Sequence, residues 1–361
     1  MLNVEKHSII LSPTEKGFES KAVLNPGVYQ DGSTLHFLYR AMEEGKPSTI
    51  GYAKTDNPLK ITERHEEPII KGEFDYESHG VEDAKIVKID GLYYITYIAY
   101  DGINKMGALA TSTDMIHFEK KGIITPKTNF HDFESQINFS GKYINPKYHF
   151  FYNLFKEMGM ENDPLRFLRI RALVLFPRKI NGKFAMLFSL YPGIQIVYFE
   201  RFEDLTEAFW INYFENFIDN IVLDPQDIYE VNYIGLGCVP IETDEGWLLI
   251  YYGVQETTTG IRNFIRAALL DLENPKRVLS RLKIPLFSPC KLVLEKNQIC
   301  DMVFPTGNAL YDDDLYIYYG ISKKIIATIS TKLSKLLLEL RTQQKRRDAK
   351  ITADLKTITD F

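Results

Sequence analysis

Hydrophobic residues in this chain cluster in short aromatic and β-branched runs bounded by Asp, Asn and Gly, the pattern that predicts β-strands. One unit recurs five times: a turn, an aromatic strand, then a second strand with a polar end. Asp31-Gly32 precedes LHFLYRA, Asp90-Gly91 precedes LYYITYIAY, and Asn181-Gly182 precedes KFAMLFSLYP. Glu245-Gly246 precedes WLLIYYGV, and Asp312-Asp-Asp314 precedes LYIYYGIS. A single unit cannot bury both faces of its sheet, so copies packed around an axis are the natural solution. Five copies predict an all-β, five-bladed β-propeller, with a β-sandwich as the alternative.

Three features break the pattern. The interval between the second and third turns is the longest, and its Phe- and Tyr-rich stretch at 129–169 reads as an insertion. Such an insertion either closes a cleft or contacts a second copy. Leu205–Ile221 has near-helical spacing and reads as a helix or a long blade connection. From Lys332 onward, Leu333, Leu336, Leu337 and Leu340 recur at three and four residues, which predicts a C-terminal helix. The expected organisation is a single catalytic propeller over 1–330 and a helical extension over 331–361. That extension would dock on its own propeller or on a neighbour in a homo-oligomer.

Composition narrows the function classes. The chain has 361 residues, 45% apolar and 13% aromatic, ample for a large core. A net charge of −5 leaves no electrostatic footprint for nucleic acid, and Lys345-Arg-Arg347 reads as a solvated helix face. Cys238, Cys290 and Cys300 form no CxxC pair, which points to a reducing, cytoplasmic setting, or a periplasmic one if a leader has been removed. No window carries the ~18 apolar residues of a membrane span. All seven histidines precede residue 150 without metal-type spacing, and no Walker, GxSxG or helix-opening GxGxxG motif occurs. No metal or cofactor is expected.

Gly80-Val-Glu-Asp-Ala-Lys-Ile86 places two carboxylates and a lysine ahead of the second aromatic strand. Successive strand residues face opposite ways, so only one of Glu82 and Asp83 can look into a given cavity. Several further motifs stand in order: Asn25-Pro-Gly27, Leu38-Tyr-Arg-Ala41, Ala110-Thr-Ser-Thr-Asp114, Leu175-Phe-Pro177, Pro240-Ile-Glu-Thr243, Ala268-Leu-Leu-Asp-Leu272 and Val303-Phe-Pro-Thr-Gly307. With Gly80-Val-Glu-Asp83 they resemble glycoside hydrolase family 130, the five-bladed mannoside phosphorylases and mannosidases, over roughly residues 20–330. The resemblance implies a mannoside substrate, Asp83 as proton donor, and Asn25 and Arg40 as contacts to the cleaved mannose. The residues agree with that chemistry. A glycosidic oxygen leaves readily only when protonated, so a positioned carboxylic acid is required. Glu82 or Glu77 is a neighbour able to favour the protonated acid, and Lys85 stands where the family has arginine.

Phosphorylase members of the family bind phosphate in a cationic pocket. Here Phe188-Ser189 stands in place of the family's His-Arg, Tyr252 in place of a histidine and Tyr233 in place of a lysine. Arg171 is the one remnant, and the family's acidic residue after Tyr-Tyr-Gly is absent from Gly320-Ile-Ser-Lys-Lys324. Each charge-assisted contact contributes about 1.5–3 kcal/mol, so these replacements favour an inverting hydrolase. Phosphorolysis and non-catalytic glycan binding are the alternatives. Inverting hydrolysis needs a carboxylate base across the ring from the acid. Glu200 and Glu242 are the first candidates, then Glu256 and Glu230. The substrate-binding set is Asn25, Arg40, Glu82, Lys85, Arg171 and Tyr252.

Overall fold

The repeating turn-and-strand units form five antiparallel sheets arranged as a five-bladed β-propeller in the computed structural model. The structure describes residues 2–359 apart from 16, 140, 160–164, 259, 289–291, 295–297, 301 and 322. Cys290 and Ser322 therefore lie outside the described residues. Blade 1 contains Ala22–Asp31, Thr34–Met42, Thr49–Thr55 and Glu63–Arg64, from the axis outward. Blade 2 contains Gly80–Ile89, Leu92–Tyr100, Lys105–Ser112 and Glu119–Ile123, and blade 3 contains Leu173–Leu175, Phe184–Phe188, Ile194–Phe199 and Ile221–Leu223. Blade 4 contains Tyr233–Leu236, Gly246–Thr257, Gly260–Leu270 and Val278–Arg281.

Blade 5 is built from both ends of the chain. Val303–Tyr311, Asp314–Ile321 and Ile325–Lys332 are completed by the N-terminal strand Glu5–Leu11, which pairs antiparallel with Ile325–Lys332. Near the axis, the Gln30 side chain donates to Leu310 O at 2.8 Å and accepts from Leu310 N at 2.8 Å, joining blades 1 and 5.

The core lies between blades, where the inward aromatic and β-branched residues of facing sheets meet. Three blades also share a buried ionic device. A 3-10 turn just before the innermost strand presents Glu19, Glu77 or Glu230, each fully buried. A tyrosine of the second strand donates to it: Tyr39 at 2.7 Å, Tyr97 at 2.7 Å and Tyr251 at 2.8 Å. A cation of the fourth strand closes the triad: Arg64 at 2.8 Å, Lys120 at 2.7 Å and Arg281 at 2.7 Å. Each triad fixes the loop that leads into the axis.

The insertion forms α1 (Phe130–Phe139) and α2 (Lys147–Glu157) between blades 2 and 3. They pack with α3 (Glu207–Glu215) and the turn after it, between the third and fourth strands of blade 3, through edge contacts such as Phe133 to Phe214 of α3 and to Phe217 of the turn, both at 5.3 Å. The C-terminal helix α4 (Leu333–Thr359) buries Leu336, Leu337 and Leu340 against strands of blades 4 and 5 of the same chain.

Candidate active site

Every blade runs alternately up and down, so the starts of the innermost strands and the ends of the second strands share one face. The turns that join the first strands to the second occupy the other face, the hairpin side. Asp83 is near the start of the innermost strand of blade 2, in a bulge between Glu82 and Lys85, with φ 54°. Asn25 holds the same place in blade 1, in a bulge between Leu24 and Gly27, with φ 48°. Left-handed backbone disfavours most side chains, and Asn and Asp are among the few that tolerate it. A bulge re-aims the side chain it carries. Here the two bulges turn their side chains toward each other, and Asn25 Nδ2 donates to Asp83 Oδ1 at 2.9 Å. Glycine at position 27 allows the approach, because a Cβ there would sit 2.3 Å from Ala84 O.

Glu82 turns away from Asp83 and is 3% exposed. One of its oxygens pairs with Arg40 at 2.7 Å and the other with Lys105. Two cations compensate its charge, so Glu82 serves as the counter-ion that fixes Arg40 rather than as a like-charged neighbour for the acid. Glu77 is similarly committed to Tyr97 and Lys120. Asp83 and Lys85 form no ion pair. The Lys85 ammonium donates instead to Thr306 O of blade 5 at 3.0 Å. Burial pushes its pKa down to about 8, while the charge of Asp83 works in the opposite direction.

Arg171 and Tyr252 meet on the same face. Arg171 Nη2 donates to Tyr252 Oη at 3.0 Å and lies 3.5 Å from Tyr233 Oη. Its Cζ stands 4.6 Å from the Tyr191 ring centroid, 4.4 Å from Tyr233 and 5.9 Å from Tyr252. Burial raises the Tyr252 phenol pKa, and the charge of Asp83 adds to the rise, which places the acid within electrostatic reach of this cage. Ser189 is buried, with its Oγ taken by Leu236 N at 3.0 Å, stitching blade 3 to blade 4. Arg40 Nε, Arg171 Nη1 and Thr306 Oγ1 are buried without a hydrogen-bond partner. Unpaired buried donors are costly in a finished core. All three residues belong to segments at this end of the blades, where a hydroxyl- or oxyanion-rich ligand could satisfy them.

Glu200 and Glu242, expected as the base, are not brought to this face. Glu200 follows Phe199, which pairs with Phe184 at the start of the second strand of blade 3, and it sits 3.8 Å from Lys183. Glu242 pairs with Trp247 at the start of the second strand of blade 4 and binds Arg178 at 2.7 Å. Both are therefore on the hairpin side, which is the correction that strand direction imposes. Glu230 is locked between Arg281 and Arg266. Glu256 is an exposed rim residue hydrogen-bonded to Asn232 at 3.1 Å.

Lys105 and Tyr191 join this cluster and carried no motif in the sequence, whereas Thr306 belongs to the Val303-Phe-Pro-Thr-Gly307 motif. No group of three or more His, Cys, Asp or Glu side chains among the described residues is placed to hold a metal ion.

A five-bladed propeller with a carboxylate, an amide and paired cations at its centre is an architecture for handling a polyhydroxylated ligand. The profile of the glycoside hydrolase 130 family, described as beta-1,4-mannooligosaccharide phosphorylase, matches residues 5–341, and the chain belongs to that family. It is 29% identical over 330 residues to a 1,2-beta-oligomannan phosphorylase of Thermoanaerobacter sp. (strain X514), covering 88% of this chain and 92% of that protein. Its fold superposes on a beta-1,2-mannobiose phosphorylase from Listeria innocua solved with beta-1,2-mannobiose, with TM-score 0.67 and 22% identity over 94% of this chain and 100% of that one. A further structure has TM-score 0.67 and 19% identity over 91% of this chain and 93% of its own. It was reported with the finding that the family of mannoside phosphorylases contains glycoside hydrolases that target beta-1,2 mannosidic linkages in Candida mannan.

Proposed function

We propose that this protein cleaves β-linked mannosides, β-1,2-linked ones first, by inverting phosphorolysis. The observation that carries the reading is Arg171: a buried guanidinium with Nη1 unpaired, linked through Tyr252 to the surroundings of Asp83. Asp83 gives its proton to the glycosidic oxygen as the C1–O bond breaks. A phosphate oxygen attacks C1 from the opposite face, yielding α-mannose 1-phosphate and a shortened acceptor. Phosphate is its own nucleophile, so the absence of Glu200 and Glu242 from this face removes nothing the reaction needs. The phosphorylase relative at 29% identity supports the same reading.

Hydrolysis is the second reading. It is favoured by the neutral Ser189, Tyr233 and Tyr252, which stand where cations would attract a dianion. Incubation with β-1,2- and β-1,4-mannobiose, with and without phosphate, separates the two. Mannose 1-phosphate formed only with phosphate is the expected outcome. Free mannose released equally without phosphate overturns phosphorolysis, and no turnover in either condition overturns both.

A further inference from the structure

The two insertion helices pack on blade 3, and two side chains of α2 reach the central cage: Phe155, tilted against Tyr191 at 5.7 Å, and Phe151, which lies closer. Phe151 of α2 stacks on Tyr191, with centroids 4.7 Å apart and planes at 24°. Tyr191 in turn carries the Arg171 Cζ at 4.6 Å and meets Tyr233 edge-on at 4.8 Å. Phe151 also touches Tyr233 directly, at 6.1 Å and 74°. The chain of contact runs without a gap from insertion to cation.

The base of this relay is fixed. Tyr148, one turn before Phe151 on α2, donates to Asp224 Oδ1 at 3.0 Å just after the outer strand of blade 3. The same hydroxyl accepts from Gln195 Nε2 at 2.8 Å. Lys147 donates to the Val231 carbonyl, in the loop that leads into blade 4. The helix is thus pinned to both blades that supply the cage, Tyr191 coming from blade 3 and Tyr233 from blade 4.

Aromatic contacts to a guanidinium engage its face and leave the N–H groups at its edge to bond an anion in the plane. Of the Arg171 amino groups, Nη2 is spent on tyrosine hydroxyls and Nη1 is unpaired. Arg171 is the guanidinium that this cage holds, so affinity for a dianion there depends on how well it is oriented before binding. We propose that Phe151 is a positioning residue: through Tyr191 it holds Arg171 in the orientation that receives inorganic phosphate, and the insertion is the buttress of the nucleophile site. This rests on the phosphorolysis reading.

The test uses the full chain with inorganic phosphate as the calorimetric probe, and measures KM for phosphate and for β-1,2-mannobiose separately. Variants are Phe151→Ala, the milder Phe151→Leu, the ring-retaining Phe151→Tyr, and Phe133→Leu, which loosens the same helix pair without touching Tyr191. Loss of the stacked ring should weaken phosphate binding and raise its KM by about tenfold, with KM for mannobiose within about twofold and Phe151→Tyr restoring the parent value. If Phe151→Leu binds phosphate as the parent does, the proposal is overturned. It is also overturned if Phe133→Leu loses as much, since that result marks a structural effect only. A parent protein that binds no phosphate overturns the phosphorolysis reading itself, a failure distinguished by appearing before any variant is compared.

Discussion

Asn25 and Asp83 meet at 2.9 Å across the seam between blades 1 and 2, each lifted out of its strand by a bulge in left-handed backbone. The acid is thus oriented by the neighbouring blade rather than by its own. Asp83→Asn should lower kcat by about 10²–10⁴-fold, the usual contribution of a general acid, while calorimetric binding of mannobiose persists. Asn25→Ala removes the hydrogen bond and places a less tolerant residue at φ 48°. It should lower kcat by a smaller factor, and unchanged turnover would remove the pair from the chemistry.

Lys85 gives a pH signature in stability. Burial lowers its pKa from 10.5 to about 8 in the folded chain. Between those values the unfolded chain holds a proton that the folded chain does not, so this contribution to stability rises with pH above 8. The difference in unfolding free energy between the parent and Lys85→Met should climb by about 2–3 kcal/mol between pH 8 and 10. Urea titrations at several pH values measure it, and a flat difference refutes the assignment.

Glu230 is fully buried between Arg281 and Arg266 and accepts from Tyr251. Removing its charge strands two buried guanidinium groups. Glu230→Gln should cost about 3–5 kcal/mol of stability, read from the urea midpoint with the slope unchanged.

Glu200 and Glu242 lie on the hairpin face. Glu200→Gln and Glu242→Gln should each leave kcat within about twofold of the parent, since exposed ion pairs contribute little. A hundredfold loss in either would mean that the nucleophile is activated from that side.

The sheet-forming repeats were legible because turn residues and aromatic strands recur in order, and the family was legible because its motifs, Gly80-Val-Glu-Asp83 among them, stand in register. The base was misplaced for a physical reason. Glu200 ends a strand and Glu242 follows a proline, and neither position shows which face of a blade it occupies until strand direction is known. Lys105 was missed because a lone lysine at a strand start resembles any solvated one. The buried triads had a usable signal: Glu19 and Tyr39, like Glu77 and Tyr97, are 20 residues apart, and Glu230 and Tyr251 are 21 apart. In the tyrosine cage, Arg171, Tyr233 and Tyr252 carried a signal but Tyr191 had none, because its place depends on contact with an insertion helix distant in sequence.

His7 and Ser330 meet at 2.8 Å although 323 positions separate them. Blade 5 therefore cannot finish until nearly the whole chain has been made, and the earlier blades must form as an open arc. Contacts this distant in sequence are slow to form, and the arc leaves two unpaired sheet edges available to other chains. Closure of that seam is the step on which folding yield depends, so a chain lacking Glu5–Leu11 should aggregate during refolding even with every residue around Asp83 intact.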